Sequence, residues 1–262
     1  MSASKRGGLS WMIWVGVLVT TMCFQACNDS AKARDVQAKA RTSPKMSEYL
    51  APGNMHVGSP VFLRAIKEDK ILELWVQPKG SGSFVLVKRY PVAAMSGNLG
   101  PKEKEGDNQV PEGFYEVVPA ALNPNSKYHL SFNIGYPNEY DRSLGRTGSY
   151  IMVHGSDVSA GCIAITDEGI EEVYTMVAEA LKEGQKTVPI QIYPFVPTPA
   201  RLWQERKSPY FPFWKVLEKT WEWTELNKMP APIVFENNQL VMKIPAPLQT
   251  PPPALEKELT QS

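Results

Sequence analysis

Two short apolar runs flank the stretch His154-Gly155-Ser156-Asp157-Val158-Ser159-Ala160-Gly161-Cys162. The first run, Tyr150 to Val153, leads directly into His154, and the second, Ile163 to Ile165, follows Cys162. Short apolar runs bounded by Gly and Ser are typical of buried strands. The pattern therefore predicts two strands whose ends carry an imidazole and a thiol, with small residues beside the sulfur.

A helix is predicted directly after the second run. Apolar residues recur at helical spacing from Ile170 to Leu181, and Gly184 ends the pattern. Thr166 or Asp167 can cap the free N–H groups of the first turn.

The folded body is expected over residues 58–195. Four further β-rich runs, the first three forming a meander, are predicted at Val61–Ile66, Ile71–Val76, Phe84–Tyr90 and Val188–Tyr193. Residues 96–108 show neither period and predict a long surface loop, a kind of segment that often carries function. The sum is a mostly β domain with at least one helix, an α+β fold.

Composition excludes several classes of protein. The 262 residues are 43% hydrophobic and 21% charged, as in ordinary globular proteins, and the net charge of +1 lacks the basic excess of nucleic-acid-binding proteins. Three Cys and three His exclude a disulfide scaffold, and no His pair has metal-ligand spacing. We therefore expect no nucleic-acid partner and no metal.

The N-terminus predicts export. Residues 1–26 combine Lys5 and Arg6 with an apolar stretch too short for a comfortable membrane span, as in a secretory signal. Ala26-Cys27 resembles the cleavage box of bacterial lipoproteins, in which Cys27 is acylated; ordinary cleavage near Ala26 and an uncleaved anchor are the alternatives. The expected location is the periplasm or cell envelope, with membrane contact only through this N-terminal segment.

Both ends of the folded body carry extensions. Residues 27–57 have no sustained periodicity and are interpreted as a flexible tether with a reach of roughly 30 Å. Residues 196–248 are rich in Pro and aromatic residues and include a predicted hairpin around residues 233–242. Their aromatic side chains either pack on the domain or form a stacking surface for sugar or a partner protein. Residues 249–262 are expected to be disordered.

The chemistry is expected between His154 and Cys162. In an exported protein Cys162 has no disulfide partner, except Cys23 or Cys27 if these escape processing, which makes it a candidate reactive thiol. If both strand ends open on one cleft, the imidazole can lower the pKa of the thiol and give a thiolate–imidazolium nucleophile. A buried inert Cys beside a hydrogen-bonded His is the alternative.

These residues resemble the active-site signature of the YkuD-type L,D-transpeptidases, which is His-Gly, a spacer, and then Ser-His-Gly-Cys. The chain is most similar to the YafK or DpaA-like branch of that family, over about residues 58–195. The matching runs are Gly58 to Val61, Gly100-Pro101-Lys102, Gly106-Asp107, Pro111 to Tyr115, Asn133 to Asn138, Tyr140-Asp141-Arg142, His154-Gly155, Ser159 to Cys162 and Ile192 to Phe195.

The resemblance implies a β-sandwich or barrel-like catalytic domain with one main helix after the catalytic Cys, and no cofactor. It implies that Cys162 is the nucleophile and His154 the proton donor and acceptor, with Ser159 and Gly161 completing the motif. The carbonyl of Gly155 is expected to orient the imidazole, and the backbone N–H of Cys162 to stabilise the oxyanion.

Two positions depart from the family's pattern. The second His is replaced by Ala160, and the residue two after Cys, often Arg, is Ala164. A substrate carboxylate must then be bound by other cations, or these cations are ordinary surface charges. The candidates are Arg142, Arg146 and Lys102. Asp107 and Tyr136 are expected to line the same site or to support the loop.

The resemblance leaves three functions open. The family's enzymes attack the L-centre carbonyl of meso-diaminopimelate in peptidoglycan stem peptides and form a thioester on Cys. An amine from a second stem then gives a cross-link, whereas water releases a lipoprotein that was attached through its lysine. A non-catalytic wall-binding lipoprotein is the third possibility. The expected partners are stem peptides and, for the hydrolase, a peptidoglycan-attached lipoprotein.

Overall fold

The computed structural model describes residues 34–244. Three predictions lie outside the described residues: the signal segment over 1–26, lipid attachment at Cys27 and disorder over 249–262.

Two five-stranded sheets form the body of the protein. The first has the order β3-β2-β1-β10-β5, and its strands are β1 Val61–Ile66, β2 Ile71–Val76, β3 Val85–Pro91, β5 Gly113–Val117 and β10 Val188–Tyr193. The second has the order β4-β9-β8-β7-β6, and its strands are β4 Ala94–Met95, β6 Leu122–Asn123, β7 Ser131–Asn133, β8 Met152–His154 and β9 Ile163–Ala164. Each sheet mixes parallel and antiparallel pairs.

The helices and a separate hairpin complete the described chain. The described part of α1 covers residues 34–50, and the other helices are α2 Glu139–Ser143, α3 Thr166–Lys182, α4 Pro199–Gln204 and α5 Phe211–Asn227. Short 3-10 turns occupy Ala51–Gly53 and Pro119–Ala121, and the hairpin pairs β11 Ile233–Glu236 with β12 Gln239–Met242. The predicted α+β fold is confirmed.

One hydrophobic core joins both sheets to α1 and α3. Leu63 of the first sheet and Phe132 and Val153 of the second lie in the same buried cluster as Ile170 of α3 and Leu50 of α1. The second sheet thereby packs into the same core as the first sheet and the two helices, and this holds the ends of β8 and β9 in place.

Of the two residues predicted to cap α3, Thr166 does so: its hydroxyl accepts a hydrogen bond from the backbone N–H of Gly169 at 3.2 Å. Asp167 has a different partner. The carboxylate of Asp167 instead accepts a hydrogen bond from the backbone N–H of Ser156 at 2.7 Å. The first turn of α3 therefore holds the loop that follows His154.

The prediction of a flexible tether over residues 27–57 is wrong for residues 34–50, which form α1. Ala38, Met46 and Leu50 are buried in the core. Arg41 of α1 also pairs with Glu171 of α3, at 2.5 Å. This segment has few apolar residues and contains a proline, a residue that is unfavourable inside helices. The local sequence therefore does not predict a helix here, and tertiary packing stabilises it.

The aromatic extension packs on the domain, as the first of the two interpretations had it. Trp214 of α5 is buried and its indole N–H donates to the carboxylate of Glu112 at 2.7 Å. Trp221 meets Tyr193 edge to face, with ring centroids 5.1 Å apart. Trp203 differs, since 65% of it is exposed.

We expect Leu50→Ala to lower the free energy of unfolding by about 2–5 kcal/mol, because it leaves a cavity between α1 and the core. The matched control is Val36→Ala, on the same helix but 62% exposed, which should change it by less than about 0.5 kcal/mol. Urea unfolding of the whole protein measures both. Equal, small effects would show that α1 is not part of the folded core.

Candidate functional site

The pairing of β8 with β9 brings His154 and Cys162 to neighbouring segments of the second sheet. The two strands are parallel, and His154, the last residue of β8, is opposite Ala164. Cys162 directly precedes β9, two residues before Ala164. The imidazole and the thiol are therefore carried by adjacent segments of one sheet.

The imidazole of His154 is oriented by its own backbone neighbour. Its Nδ1 lies 2.6 Å from the carbonyl oxygen of Gly155, and the residue is buried. A carbonyl oxygen only accepts hydrogen bonds, so Nδ1 carries the proton and Nε2 of the neutral ring is a free acceptor. This is the contact that the resemblance implies.

Gly155 has no room for a side chain. A Cβ at this position would lie 2.5 Å from a carboxylate oxygen of Asp167 and 2.8 Å from the carbonyl oxygen of Tyr128. The backbone N–H of Gly155 also donates to that carbonyl, at 3.0 Å. Close approach of two backbone segments therefore explains the glycine.

The Cys162 thiol is half-buried between backbone groups. Its Sγ accepts from the N–H of Met152 at 3.4 Å and donates to the carbonyl of Tyr150 at 3.7 Å. Desolvation raises the pKa of this thiol, while the Met152 N–H and the positive charge of Lys102 oppose the shift. The thiol is therefore neutral at pH 7.

The electrostatics differ from the expected thiolate–imidazolium pair. Desolvation lowers the pKa of His154, and its hydrogen bond to Gly155 only partly offsets this. Burial disfavours the charged form of both groups, so it lowers the pKa of the imidazole and raises the pKa of the thiol. The resting site thus contains a neutral imidazole and a neutral thiol. The hydrogen bond from the thiol to the Tyr150 carbonyl is consistent with this, because the thiol can donate only while it keeps its proton.

The turn before Cys162 is closed by Ser159. The hydroxyl of Ser159 donates to the Cys162 carbonyl at 2.7 Å and accepts from the Cys162 N–H at 3.0 Å. Gly161 has a φ of +88°, which favours glycine, and its N–H donates to Ser96. The N–H that was expected to stabilise the oxyanion is therefore occupied by Ser159 in this structure.

Of the three cations predicted to bind a substrate carboxylate, Lys102 is the one whose charge acts on the Cys162 thiol. Its ammonium group is buried and donates to Asp107 at 2.5 Å and to the carbonyl of Lys104 at 2.9 Å. Desolvation raises the pKa of Asp107, but hydrogen bonds from Lys102 and from three backbone N–H groups outweigh it and lower that pKa to about 2. Asp107 is therefore an anion that holds Lys102.

Tyr136 supports the same loop. Its hydroxyl donates to the carbonyls of Lys102, at 3.1 Å, and Thr147, at 3.3 Å. Desolvation raises its pKa, so the hydroxyl keeps its proton. Of the two roles expected for Tyr136, lining the site or supporting the loop, these contacts match the second.

The contacts of Arg142 and Arg146 do not place them with Cys162. Arg146 pairs with the buried carboxylate of Asp141 at 2.8 Å and its guanidinium lies 5.7 Å from the ring centre of Tyr140. Arg142 donates to the carbonyl of Pro137 and lines a separate groove beside Tyr140. Their predicted role in binding a substrate carboxylate at the thiol finds no support, because other groups of the fold engage them.

One aromatic residue at the site was missed. The ring of Tyr128 stacks on the His154 imidazole, with centroids 4.7 Å apart and planes 30° from parallel. Tyr128 lies outside every motif, next to His129, which bonds Glu171 at 2.7 Å as a structural residue. No local signal marks Tyr128, because only the register of β7 with β8 brings the two rings together.

Residues 34–244 contain no cluster of three or more His, Cys, Asp or Glu side chains arranged to hold a metal ion. Within the same part of the chain, every helix is too short or too polar to cross a membrane.

Comparison with known proteins identifies a family whose matched region contains His154 and Cys162. Residues 62–192, half of the chain, match the model of the YkuD family, described as the L,D-transpeptidase catalytic domain. The chain is 36% identical over 223 residues to YafK of Escherichia coli (strain K12), covering 85% of this chain and 89% of YafK.

Solved structures show a weaker likeness. A mutant form of the helical cell shape determining protein Pgp2 from Campylobacter jejuni is 25% identical, with a TM-score of 0.42 over 56% of this chain and 53% of that one. Bd1075 from Bdellovibrio bacteriovorus is 20% identical, with a TM-score of 0.35 over 63% of this chain and 58% of that one. Nothing about the function of this chain rests on these two likenesses.

The family model accounts for the strands that carry His154 and Cys162, and the identity to YafK extends along most of both chains. This chain therefore belongs to the YkuD family of L,D-transpeptidase catalytic domains, peptidoglycan-modifying enzymes of the cell envelope.

Proposed function

We propose that this protein catalyses Cys-dependent acyl transfer at the L-centre carbonyl of meso-diaminopimelate in peptidoglycan stem peptides. The observation that carries the proposal is the parallel pairing of β8 with β9, which brings the segments of His154 and Cys162 side by side, with Nδ1 of the imidazole bound to the Gly155 carbonyl. That bond leaves Nε2 to accept a proton, which is what a thiol nucleophile needs.

The first half-reaction starts from the neutral pair. His154 Nε2 removes the thiol proton as Cys162 Sγ attacks the carbonyl carbon, and the carbonyl oxygen becomes an oxyanion. The oxyanion collapses, the bond to the leaving amine breaks, and the imidazolium returns its proton to that amine. The product is a thioester on Cys162. Because the charges form only during the reaction, the site does not have to stabilise a buried ion pair at rest.

The second half-reaction depends on the acceptor. An amine of another stem peptide attacks the thioester, loses its proton to His154 and gives a cross-link, with the thiol restored. Water in place of the amine gives hydrolysis, which would release a lipoprotein attached through its lysine. Because both reactions use the same acyl-enzyme, only the reaction products distinguish an amine acceptor from water.

The location proposed is outside the cytoplasmic membrane, with Cys27 as the lipid-bearing residue. Because α1 is already folded at Arg34, only residues 28–33 would separate that lipid from the domain. Such a segment spans at most about 20 Å, at 3.3–3.6 Å per residue. The domain would therefore be unable to move as far from its membrane as a flexible tether over 27–57 would allow.

Incubation with purified sacculi that carry bound lipoprotein tests the reaction. Mass analysis of the muropeptides should show new dimers joined through two diaminopimelate residues. Free lipoprotein with unchanged cross-linking would identify the hydrolase instead. If a folded protein forms neither product and its Cys162 is not acylated, the proposal of acyl transfer is rejected.

We expect Cys162→Ala to abolish the reaction and His154→Ala to slow acylation by about 10²- to 10⁴-fold, the range for a lost general base. The matched control is His56→Ala, whose imidazole bonds Ser59 rather than the site. Labelling of Cys162 by a carbapenem, followed by mass spectrometry, measures acylation. A His154→Ala variant that is acylated at the rate of the wild type would move the base elsewhere.

The neutral thiol predicts a distinct pH dependence. Alkylation of Cys162 by iodoacetamide should rise with pH to a midpoint above the ordinary thiol pKa of about 9. Lys102→Met should move that midpoint further upward, because the charge that favours the thiolate is lost. Lys104→Met, in the same loop but exposed, is the control. A midpoint below pH 7 in the wild type would instead establish the thiolate–imidazolium pair.

A further inference from the structure

Tyr128 lies over the imidazole of His154 without belonging to the hydrophobic core. The two rings are stacked at 4.7 Å, yet 45% of Tyr128 is exposed to solvent. Its ring therefore has one face on the imidazole and another side in water. Packing of the core does not account for a large aromatic side chain in this place, whereas the buried His154 beneath it does.

The loop that carries Tyr128 is fixed to the end of β8. The carbonyl of Tyr128 accepts from the N–H of Gly155 at 3.0 Å, and its N–H donates to the hydroxyl of Ser126 at 3.0 Å. Gly155 is also the residue whose carbonyl binds Nδ1 of His154. The same short segment thus holds the edge of the imidazole through Gly155 and its face through Tyr128.

The N-terminal helix holds this loop from outside. The guanidinium of Arg34 donates to the carbonyls of Ser126, at 2.9 Å, and His129, at 3.0 Å, on either side of Tyr128. Arg34 belongs to α1, which precedes the residues 62–192 that match the family model. A contact from outside the matched region therefore fixes a loop at its reactive centre.

A second link leads from the loop to α3. His129 bonds Glu171 at 2.7 Å, and Glu171 also binds Arg41 of α1. The loop is thus tied to both helices at residues adjacent to Tyr128. With its backbone held at these points, the ring of Tyr128 has little freedom to leave the imidazole.

We propose that Tyr128 is a positioning residue for His154 and that Arg34 of α1 holds it in place. This inference rests on the proposed role of His154 in proton transfer. The ring covers one face of the imidazole and keeps its plane fixed, so that Nδ1 stays on the Gly155 carbonyl and Nε2 remains available to accept a proton. Proton transfer depends steeply on such geometry.

Acylation of Cys162 by a carbapenem, resolved into a binding constant and a maximal rate, tests the role of the ring. Tyr128→Ala and Tyr128→Leu should lower the maximal rate by about 10- to 100-fold, the cost of a displaced catalytic group. The binding constant should change little, because the ring acts through His154. Tyr128→Phe keeps the ring and should restore the rate, which a role of the hydroxyl would not allow.

Arg34→Ala tests the support from α1. It should lower the maximal rate in the same direction as Tyr128→Ala, because the loop is released. The matched control is Lys39→Ala, which removes an ion pair between α1 and α3, to Glu179 at 2.7 Å, without touching the loop. Thermal unfolding of each variant shows whether the domain is intact.

The outcomes separate this inference from the proposed function. If the wild type is acylated, His154→Ala is slow and Tyr128→Ala and Tyr128→Leu react at the wild-type rate, positioning by Tyr128 is wrong and acyl transfer stands. If Arg34→Ala and Lys39→Ala have equal effects, the support from α1 is wrong. A wild type that is never acylated and makes no product would overturn both proposals.

Discussion

The site depends on the parallel pairing of two very short strands, β8 and β9. Parallel neighbours usually require a long crossover, because the chain must return along the whole strand before pairing again. β8 ends at His154 and β9 begins at Ile163, so the return path is short enough for residues 155–162 to cover it without a helix. This connection has the imidazole of His154 before its start and the thiol of Cys162 at its end, and the parallel register brings the two segments side by side.

Burial determines the chemistry that this pair can perform. The imidazole and the thiol are both shifted by desolvation toward their neutral forms, so a resting ion pair is unfavourable. The single bond from Nδ1 to Gly155 then gains importance, since it selects the tautomer in which Nε2 can accept a proton. A carbonyl performs here the orienting role that a carboxylate has in other triads, without adding a buried charge.

Two extensions stabilise the loops around this centre. Buried Lys67 donates to the carbonyls of Gly100 and Val110 and to Glu112, which also binds Trp214 of α5. Glu112 thus ties the C-terminal extension to the chain that leads to Lys102. On the other side, α1 reaches the loop of Tyr128. Segments that flank the matched domain therefore bond directly to its loops, Arg34 to the loop of Tyr128 and Trp214 to Glu112.

The sequence by itself determined the elements with strong local signals: β1, β2, β10, α3 up to its end near Gly184, and the pairing of His154 with Cys162 as the candidate reactive groups. Apolar periodicity and one unpaired thiol were sufficient for these. Only the tertiary structure decided that residues 34–50 are helical, that Arg146 serves Asp141, that the thiol is neutral and that Tyr128 covers His154. Each of these depends on burial against residues distant in the chain, and burial sets both helix stability and pKa in a way that no local pattern records.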